Sequence, residues 1–226
     1  MSLYQQYLSN TGSVVYKWHH YFPVYERHFS AWKNRALTFW EIGVFSGGSL
    51  SMWQQYFGPY ARIVGLDIDP SCKNHEKPGI SVRIGNQSDP VFLDEVVSEF
   101  GVPDIALDDG SHTMSDIWAT FQHLYPLMGK NGIYAIEDLH TCYWPEYGGG
   151  LHHPDSVLEK AKMLIDQLHA DHTRGDVKPD DFTRNTYSLC FYDSLLIIEK
   201  GSVWRKEADA IGSWEGESPR PEMRNI

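Results

Sequence analysis

"FWEIGVFSGGSL", residues 39–50, runs from aromatic and β-branched residues into Gly43, Gly47 and Gly48 and then into helical spacing. A strand that ends on glycine and restarts as a helix lets the backbone turn tightly and approach a ligand without Cβ interference. The free N–H groups at the helix start, after Ser49, suit a polar or anionic part of that ligand. Taken alone, such a loop can serve only to turn the chain. A second signal points to a ligand: Asp67 closes the next apolar run, 26 residues after Glu41. That separation is close to the one at which an acidic side chain reaches ribose hydroxyls in nucleotide folds. The glycines do not form the dinucleotide pattern G-x-G-x-x-G, because only Gly47 and Gly48 follow Gly43.

Outward from this stretch the chain alternates. "LTFWEIG" (37–43), "ARIVGLD" (61–67), "ISVRIG" (80–85), "PDIALDD" (103–109) and "GIYAIED" (132–138) read as strands. "GSLSMWQQYFG", "VFLDEVVSEFG" and "TMSDIWATFQHLYPLMG" place apolar residues three and four apart and end at glycine, as amphipathic helices do. Repeated strand–helix–strand units predict a doubly wound α/β domain with a Rossmann-like, mostly parallel sheet of about seven strands. "NTYSLCFYDSLLIIEKG" (185–201) holds two β-rich runs around "YDS", too short a gap for a crossover helix, so an antiparallel hairpin is expected at one edge. The reading divides the chain into an N-terminal helical or lid segment (1–36), the α/β domain (37–205) and a tail (206–226) rich in Gly, Pro and charge.

Composition limits the function. The 226 residues are 42% hydrophobic and 22% charged, as in a globular domain. A net charge of -11 disfavours nucleic acid or an anionic membrane as partner. Cys72, Cys142 and Cys190 form neither a disulfide framework nor a thiolate zinc pattern. The first residues show no basic-then-apolar leader and no run of eighteen apolar residues occurs, so a cytoplasmic protein is expected.

"IALDDGSHTMSD" (105–116) ends the fourth strand on Asp108 and Asp109, with His112 just beyond, and "IEDLH" ends the fifth on Glu137 and Asp138. Neighbouring strands lie about 4.8 Å apart, so these carboxylates converge. Like charges brought together in a cleft call for a cation. Oxygen ligands from Asp109, Glu137 and Asp138 favour Mg²⁺, with Mn²⁺ or Ca²⁺ as substitutes. His112 reaches the same space, where it can take a proton from a coordinated hydroxyl. The simpler alternative is that Asp109 or Ser111 caps the helix that follows.

Glu41-x-Gly43-x-x-x-Gly47 resembles the first motif of class I S-adenosylmethionine-dependent methyltransferases, and the resemblance spans roughly residues 37–200. It implies a cofactor loop at Glu41, Gly43, Ser46, Gly47 and Ser49, with Asp67 on the ribose. Gln87 and Ser88 of "IGNQSDP" then fall near the adenine, and Asp108 also falls on the cofactor side; Ser88 or Asp89 could equally cap the next helix. "DDGSH" followed by "IEDLH" is similar to the metal-dependent sugar O-methyltransferases of macrolide and related glycoside biosynthesis, the mycinamicin VI type. Relatives of cephalosporin hydroxylase share such motifs. In the sugar-methylating branch the matching positions, Asp109, Glu137 and Asp138, bind Mg²⁺ and His112 is the general base. "YKWHHYFPVYERHF" (16–29) also looks like this branch, where a similar segment helps close the active site, although Tyr16 stands where relatives often carry Asp. None of the large additional N-terminal domain of some members is expected.

The resemblance implies an S-adenosylmethionine- and Mg²⁺-dependent O-methyltransferase acting on a sugar hydroxyl of a glycoside or other small-molecule acceptor, in a homo-oligomer. The competing readings are a methyltransferase of catechol-like hydroxyls and a cofactor-binding module without transfer activity. The loop "HTCYWPEYGGGLHHPDS" could act as a lid with Tyr143 and Trp144 stacking on an acceptor ring, or be a plain surface loop. His123 is given no role, and those of His140, His152 and His153 stay open.

Overall fold

The computed structural model describes residues 1–201 and 211–212 of the chain. Apart from those two residues, the expected 206–226 tail lies outside the described residues. Among the described residues seven strands form one sheet: β1 (Leu37–Ile42), β2 (Ala61–Asp67), β3 (Ile80–Ile84), β4 (Ile105–Asp108), β5 (Ile133–Ile136), β6 (Thr186–Tyr192) and β7 (Leu195–Lys200). Their order is β3-β2-β1-β4-β5-β7-β6. The first five are parallel, while β7 runs antiparallel to both β5 and β6. The seven-stranded doubly wound sheet and its C-terminal hairpin match the sequence expectation.

Alternate residues along each strand face opposite layers. Phe39, Ile63, Leu107, Ala135 and Ile197 pack with α1 (Leu3–Leu8), α2 (Phe22–Phe29) and α3 (Gly48–Phe57). Trp40, Val64, Ala106, Tyr134 and Ile198 pack with α4 (Pro90–Phe100), α5 (Met114–Leu127) and α6 (Val157–Leu168). A shorter helix, α7 (Asp181–Asn185), leads into β6. Covering both faces explains why the parallel strands read as continuous apolar runs rather than alternating ones. The N-terminal segment carries α1, α2 and two short 3-10 turns, joined by irregular stretches. Leu3, Tyr21, Phe22, Tyr25 and Phe29 are fully or almost fully buried in the same core as β1.

From β1 the chain winds outward through β2 to β3, then returns across β1 to place β4 on its other side. At such a reversal the crossover helices lie on opposite faces and leave a crevice beyond the carboxyl ends of the strands. Every acidic and glycine motif of the sequence falls at that edge. No helix among the described residues is long and apolar enough to cross a membrane.

Candidate active site

Gly43 joins the two halves of the crevice. Its φ is +93°, and a Cβ there would sit 2.0 Å from the Asp109 carbonyl oxygen. The backbone of β1's end therefore rests directly on the loop that carries Asp109, a contact held by the Asp109 N–H donating to Ile42 and the Gly43 N–H donating to Leu66. Only glycine accommodates both the conformation and the approach.

Register brings the carboxylates together. Asp108 pairs with Ile136 across β4 and β5, so Asp109 and Glu137 leave the sheet side by side. One oxygen of Asp109, one of Asp138 and a ring nitrogen of His112 lie within 4.8 Å of one another. His112 Nε2 is 3.9 Å from Asp109 Oδ1 and 3.8 Å from Asp138 Oδ2, too far for direct hydrogen bonds and wide enough for a bound group between them. His112 and Asp138 both hold positive φ, 57° and 55°. Non-glycine residues in that region cost roughly 1–3 kcal/mol each and persist where surroundings fix them. Here Glu137 N–H donates to Asp108, and Leu139 N–H donates to Ser194 in the β6–β7 turn.

Glu137, the third expected metal ligand, is placed differently. Both its oxygens lie 2.9 Å from Lys17 Nζ, and Tyr25 donates a short hydrogen bond to Oε1. Lys17 Nζ is also 2.5 Å from Asp109 Oδ2 and 3.5 Å from Glu41 Oε1, with its side chain only 3% exposed. The cation that the acidic cluster demands is thus supplied in part by the protein. Burial works against the Lys17 charge, but Asp109, Glu137 and Glu41 outweigh it and hold the ammonium well above its usual range. Burial, followed by the neighbouring Asp109 carboxylate, pushes Glu137 well up. Tyr21 donates to Asp138 Oδ1 at 2.7 Å. Nothing in the sequence pattern tied Lys17, Tyr21 and Tyr25 to these carboxylates. The available signal was the "YKWHHYFPVY" stretch itself, whose lysine and tyrosine hydroxyls require partners once buried.

The donor set of Asp109 and Asp138 fits a hard divalent ion, with His112 beside it. One oxygen of each aspartate is tied to Lys17 or Tyr21, and the other faces the shared space. The 740 Å³ cavity beside it is lined by Gly43, Ser49, Asp67, Asp109, His112 and Asp138, and by the strap Val14–Lys17. A smaller 180 Å³ pocket continues from Gly43 and Asp67 to Asn86, Gln87 and Ser111. Asp67 thus stands where the two meet. Burial opposes its charge, yet the N–H groups of Asp69, Val44 and Phe45 hold its carboxyl below the usual range.

The other expected cofactor residues are placed less directly. Ser49 Oγ donates to the buried Glu41, which also accepts from Trp53. Ser46 Oγ donates to the Val14 carbonyl, and Gly47 lies against His75. Gln87 is committed to Asp108, Thr120 and the Ser111 N–H. Asp108 is buried and accepts from Gln87 and Tyr134; burial pushes its carboxyl up to about 7. Ser88 bonds to Asn86, while Asp89 caps α4 by accepting from Val91 N–H. Glu41, Ser46, Gly47, Ser88 and Asp108 line neither pocket and support it from behind. Phe45, Asp69, Cys72 and Asn86 line the pockets and were not singled out from sequence. Asp109 does not cap α5, whose N-cap is Thr113, and Ser111 Oγ accepts from the Thr113 N–H.

Aromatic residues rim the site. Trp18 lies 5.8 Å from His140, His140 lies 4.8 Å from Trp144, and Trp144 lies 6.0 Å from Tyr147, measured between ring centroids. Tyr147 is 6.3 Å from His112. Trp18, Tyr143 and Trp144 remain about half exposed. A continuous aromatic arc therefore leads from the N-terminal segment, through the loop after β5, to His112.

No family model matches the chain. It is 35% identical over 201 residues to an 8-demethyl-8-alpha-L-rhamnosyl tetracenomycin-C 2'-O-methyltransferase of Streptomyces olivaceus, covering 84% of this chain and 52% of that protein. It is 34% identical over 209 residues to the mycinamicin VI 2''-O-methyltransferase of Micromonospora griseorubida, covering 87% of this chain and 51% of that one. The structure superposes with a TM-score of 0.78 and 32% identity on the MycE methyltransferase of the mycinamycin pathway, solved in complex with Mg, SAH and mycinamycin VI, over 88% of this chain and 53% of that one. The chain spans about half the length of these relatives. It is a homologue of the sugar O-methyltransferases of glycosylated natural products and shares their class I methyltransferase fold.

Proposed function

We propose that the chain is an S-adenosylmethionine- and Mg²⁺-dependent O-methyltransferase that methylates a hydroxyl on the sugar of a glycosylated small molecule. The observation that carries this is the convergence of Asp109, His112 and Asp138 on the 740 Å³ cavity that Gly43 and Asp67 also line. A bound divalent cation would draw in the acceptor hydroxyl and ease the loss of its proton, and S-adenosylmethionine would supply the methyl group. Asp109 and Asp138 hold that cation. Asp67 receives the ribose hydroxyls with the lone pairs its backbone donors leave free. His112 Nε2, hydrogen-bonded to neither aspartate, takes the proton of the acceptor hydroxyl, a role worth roughly 10²–10⁴ in rate. Gly43 brings the cofactor loop against the Asp109 loop, so that methyl donor and acceptor meet in line.

The aromatic arc from Trp18 to Tyr147 offers stacking faces for a sugar ring and its attached aglycone. A cytoplasmic location, the default reading of the sequence, and a homo-oligomer, implied by the resemblance, complete this reading. The test combines calorimetry of S-adenosylhomocysteine binding with transfer of labelled methyl groups to mycinamicin VI and to a rhamnosylated tetracenomycin, with and without Mg²⁺. Metal-stimulated transfer to a glycoside is expected. Transfer confined to a catechol would replace the acceptor class. Cofactor binding without transfer to any acceptor would reduce the chain to a binding module.

A further inference from the structure

Lys17 sits where the sequence alone placed a metal ion. Its ammonium contacts Asp109 Oδ2 and both oxygens of Glu137, two of the three carboxylates expected to ligate the metal. It belongs to a strap, residues 13–18, that lies across the cofactor loop. Ser46 Oγ donates to the Val14 carbonyl at 2.8 Å, and a Cβ on Gly48 would meet that same oxygen at 2.1 Å. Val14, Val15, Tyr16 and Lys17 together form one side of the main cavity.

We propose that Lys17 and a divalent cation compete for Asp109 and Glu137, so that metal entry displaces the ammonium and loosens the strap over the cofactor cavity. This rests on the metal-dependent reading above. The argument is one of charge and valence. Glu137 has both oxygens on Lys17 and one also on Tyr25, so a metal at Glu137 would have to share oxygens already bonded to the ammonium. An ammonium and a dication sharing the Asp109 carboxylate repel each other in a site where Lys17 is almost fully buried. Without metal, the lysine spares the acidic cluster an uncompensated burial of like charges. With metal, that compensation becomes redundant. The two ligands of the cluster, one built in and one diffusible, would thus report the metal state directly to the strap.

The test uses the full chain and Mn²⁺ as the probe. Its affinity is read from the loss of the free-ion electron paramagnetic resonance signal for wild type, Lys17→Met and Lys17→Arg. Strap mobility is read by hydrogen–deuterium exchange of peptides covering residues 13–18. Competition predicts that Lys17→Met binds Mn²⁺ about tenfold more tightly, within the usual range of coupling between sites, and that Lys17→Arg does not. It also predicts that Mn²⁺ speeds exchange of the strap in wild type.

Unchanged or weaker Mn²⁺ binding by Lys17→Met, or strap exchange in wild type that Mn²⁺ leaves unchanged or slows, would overturn it. Should Lys17→Met fail to fold, the wild-type exchange result decides. Absence of Mn²⁺ binding by all three chains would instead remove the metal-dependent reading itself, and with it the competition. Normal binding with no effect of Lys17 would remove only the competition.

Discussion

Replacing Gly43 by alanine tests whether the cofactor loop and the metal loop are built against each other. The new Cβ would lie 2.0 Å from the Asp109 carbonyl oxygen and 2.7 Å from its carbon, at φ +93°. Relief requires moving one backbone by about 1 Å, an overpacking strain worth roughly 1–3 kcal/mol. The left-handed conformation adds about 1–2 kcal/mol for a residue with a Cβ. At about 2–4 °C per kcal/mol for a domain of this size, the melting temperature should fall by on the order of 10 °C. Gly101 supplies the control: its φ is +79°, but nothing lies within 4 Å of a Cβ there. Gly101→Ala should therefore pay only the conformational part and melt a few degrees below wild type. Melting by circular dichroism, with Mn²⁺ affinity measured in parallel, separates the two. Gly43→Ala should also bind Mn²⁺ more weakly, because relief of the clash displaces Asp109. If both variants melt within about 2 °C of each other and bind Mn²⁺ like wild type, the close approach does not matter and the reasoning fails.

Three further outcomes follow from the site. His112→Asn, chosen because asparagine tolerates the left-handed backbone that His112 adopts, should lower methyl transfer by roughly 10² or more while S-adenosylhomocysteine affinity stays within a factor of a few; equal loss of both would exclude the base role. Asp138→Asn should weaken Mn²⁺ binding by at least the about tenfold that even supporting partners of a metal site cost, and unchanged affinity by calorimetry would remove Asp138 from the ligand set. Asp67→Asn should destabilise the chain in a pH-dependent way. The folded-state pKa of Asp67 is depressed, so its contribution is fully present above the ordinary aspartate range and is lost as pH falls through the folded value. The melting gap between wild type and Asp67→Asn should therefore be widest at neutral pH and close on acidification below the ordinary aspartate range; a gap that stays constant or widens in acid would contradict the hydrogen-bonding account.

The strands were legible because a sheet covered on both faces leaves long apolar runs: β2 ends on Asp67 as read, and the β6–β7 hairpin falls where "YDS" placed it. The meeting of Asp109, His112 and Asp138 was legible for the same reason, since residues just past the ends of adjacent parallel strands must be neighbours. Glu137 was not. It precedes Asp138, and consecutive residues point to opposite sides, so one turns toward the open cleft and the other toward the buried Lys17. Lys17 stands 120 residues from Glu137 in the chain, and no periodicity links them. Tyr25 was hidden in another way: within an amphipathic helix it scores as an apolar core residue, and only its hydroxyl needs the carboxylate. The supporting roles of Ser46 and Ser88 escaped because a serine in a loop gives no sign of which neighbour it will bond.

The strand order β5-β7-β6 has a consequence for how the molecule is assembled. β5, whose four residues are all buried, gains its second neighbour only from Leu195–Lys200, after the chain has already laid down β6. Until those residues emerge from the ribosome, Ile133–Ile136 presents unpaired backbone and apolar side chains along an open margin, the kind of edge that recruits other strands. The same turn supplies the Ser194 carbonyl, which accepts from both the Leu139 N–H and the Tyr21 hydroxyl. Nascent chains stopped short of residue 195 should therefore aggregate and bind chaperones far more than chains that include Leu195–Lys200, and the acidic corner around Asp138 should acquire its shape only once the β6–β7 turn is in place.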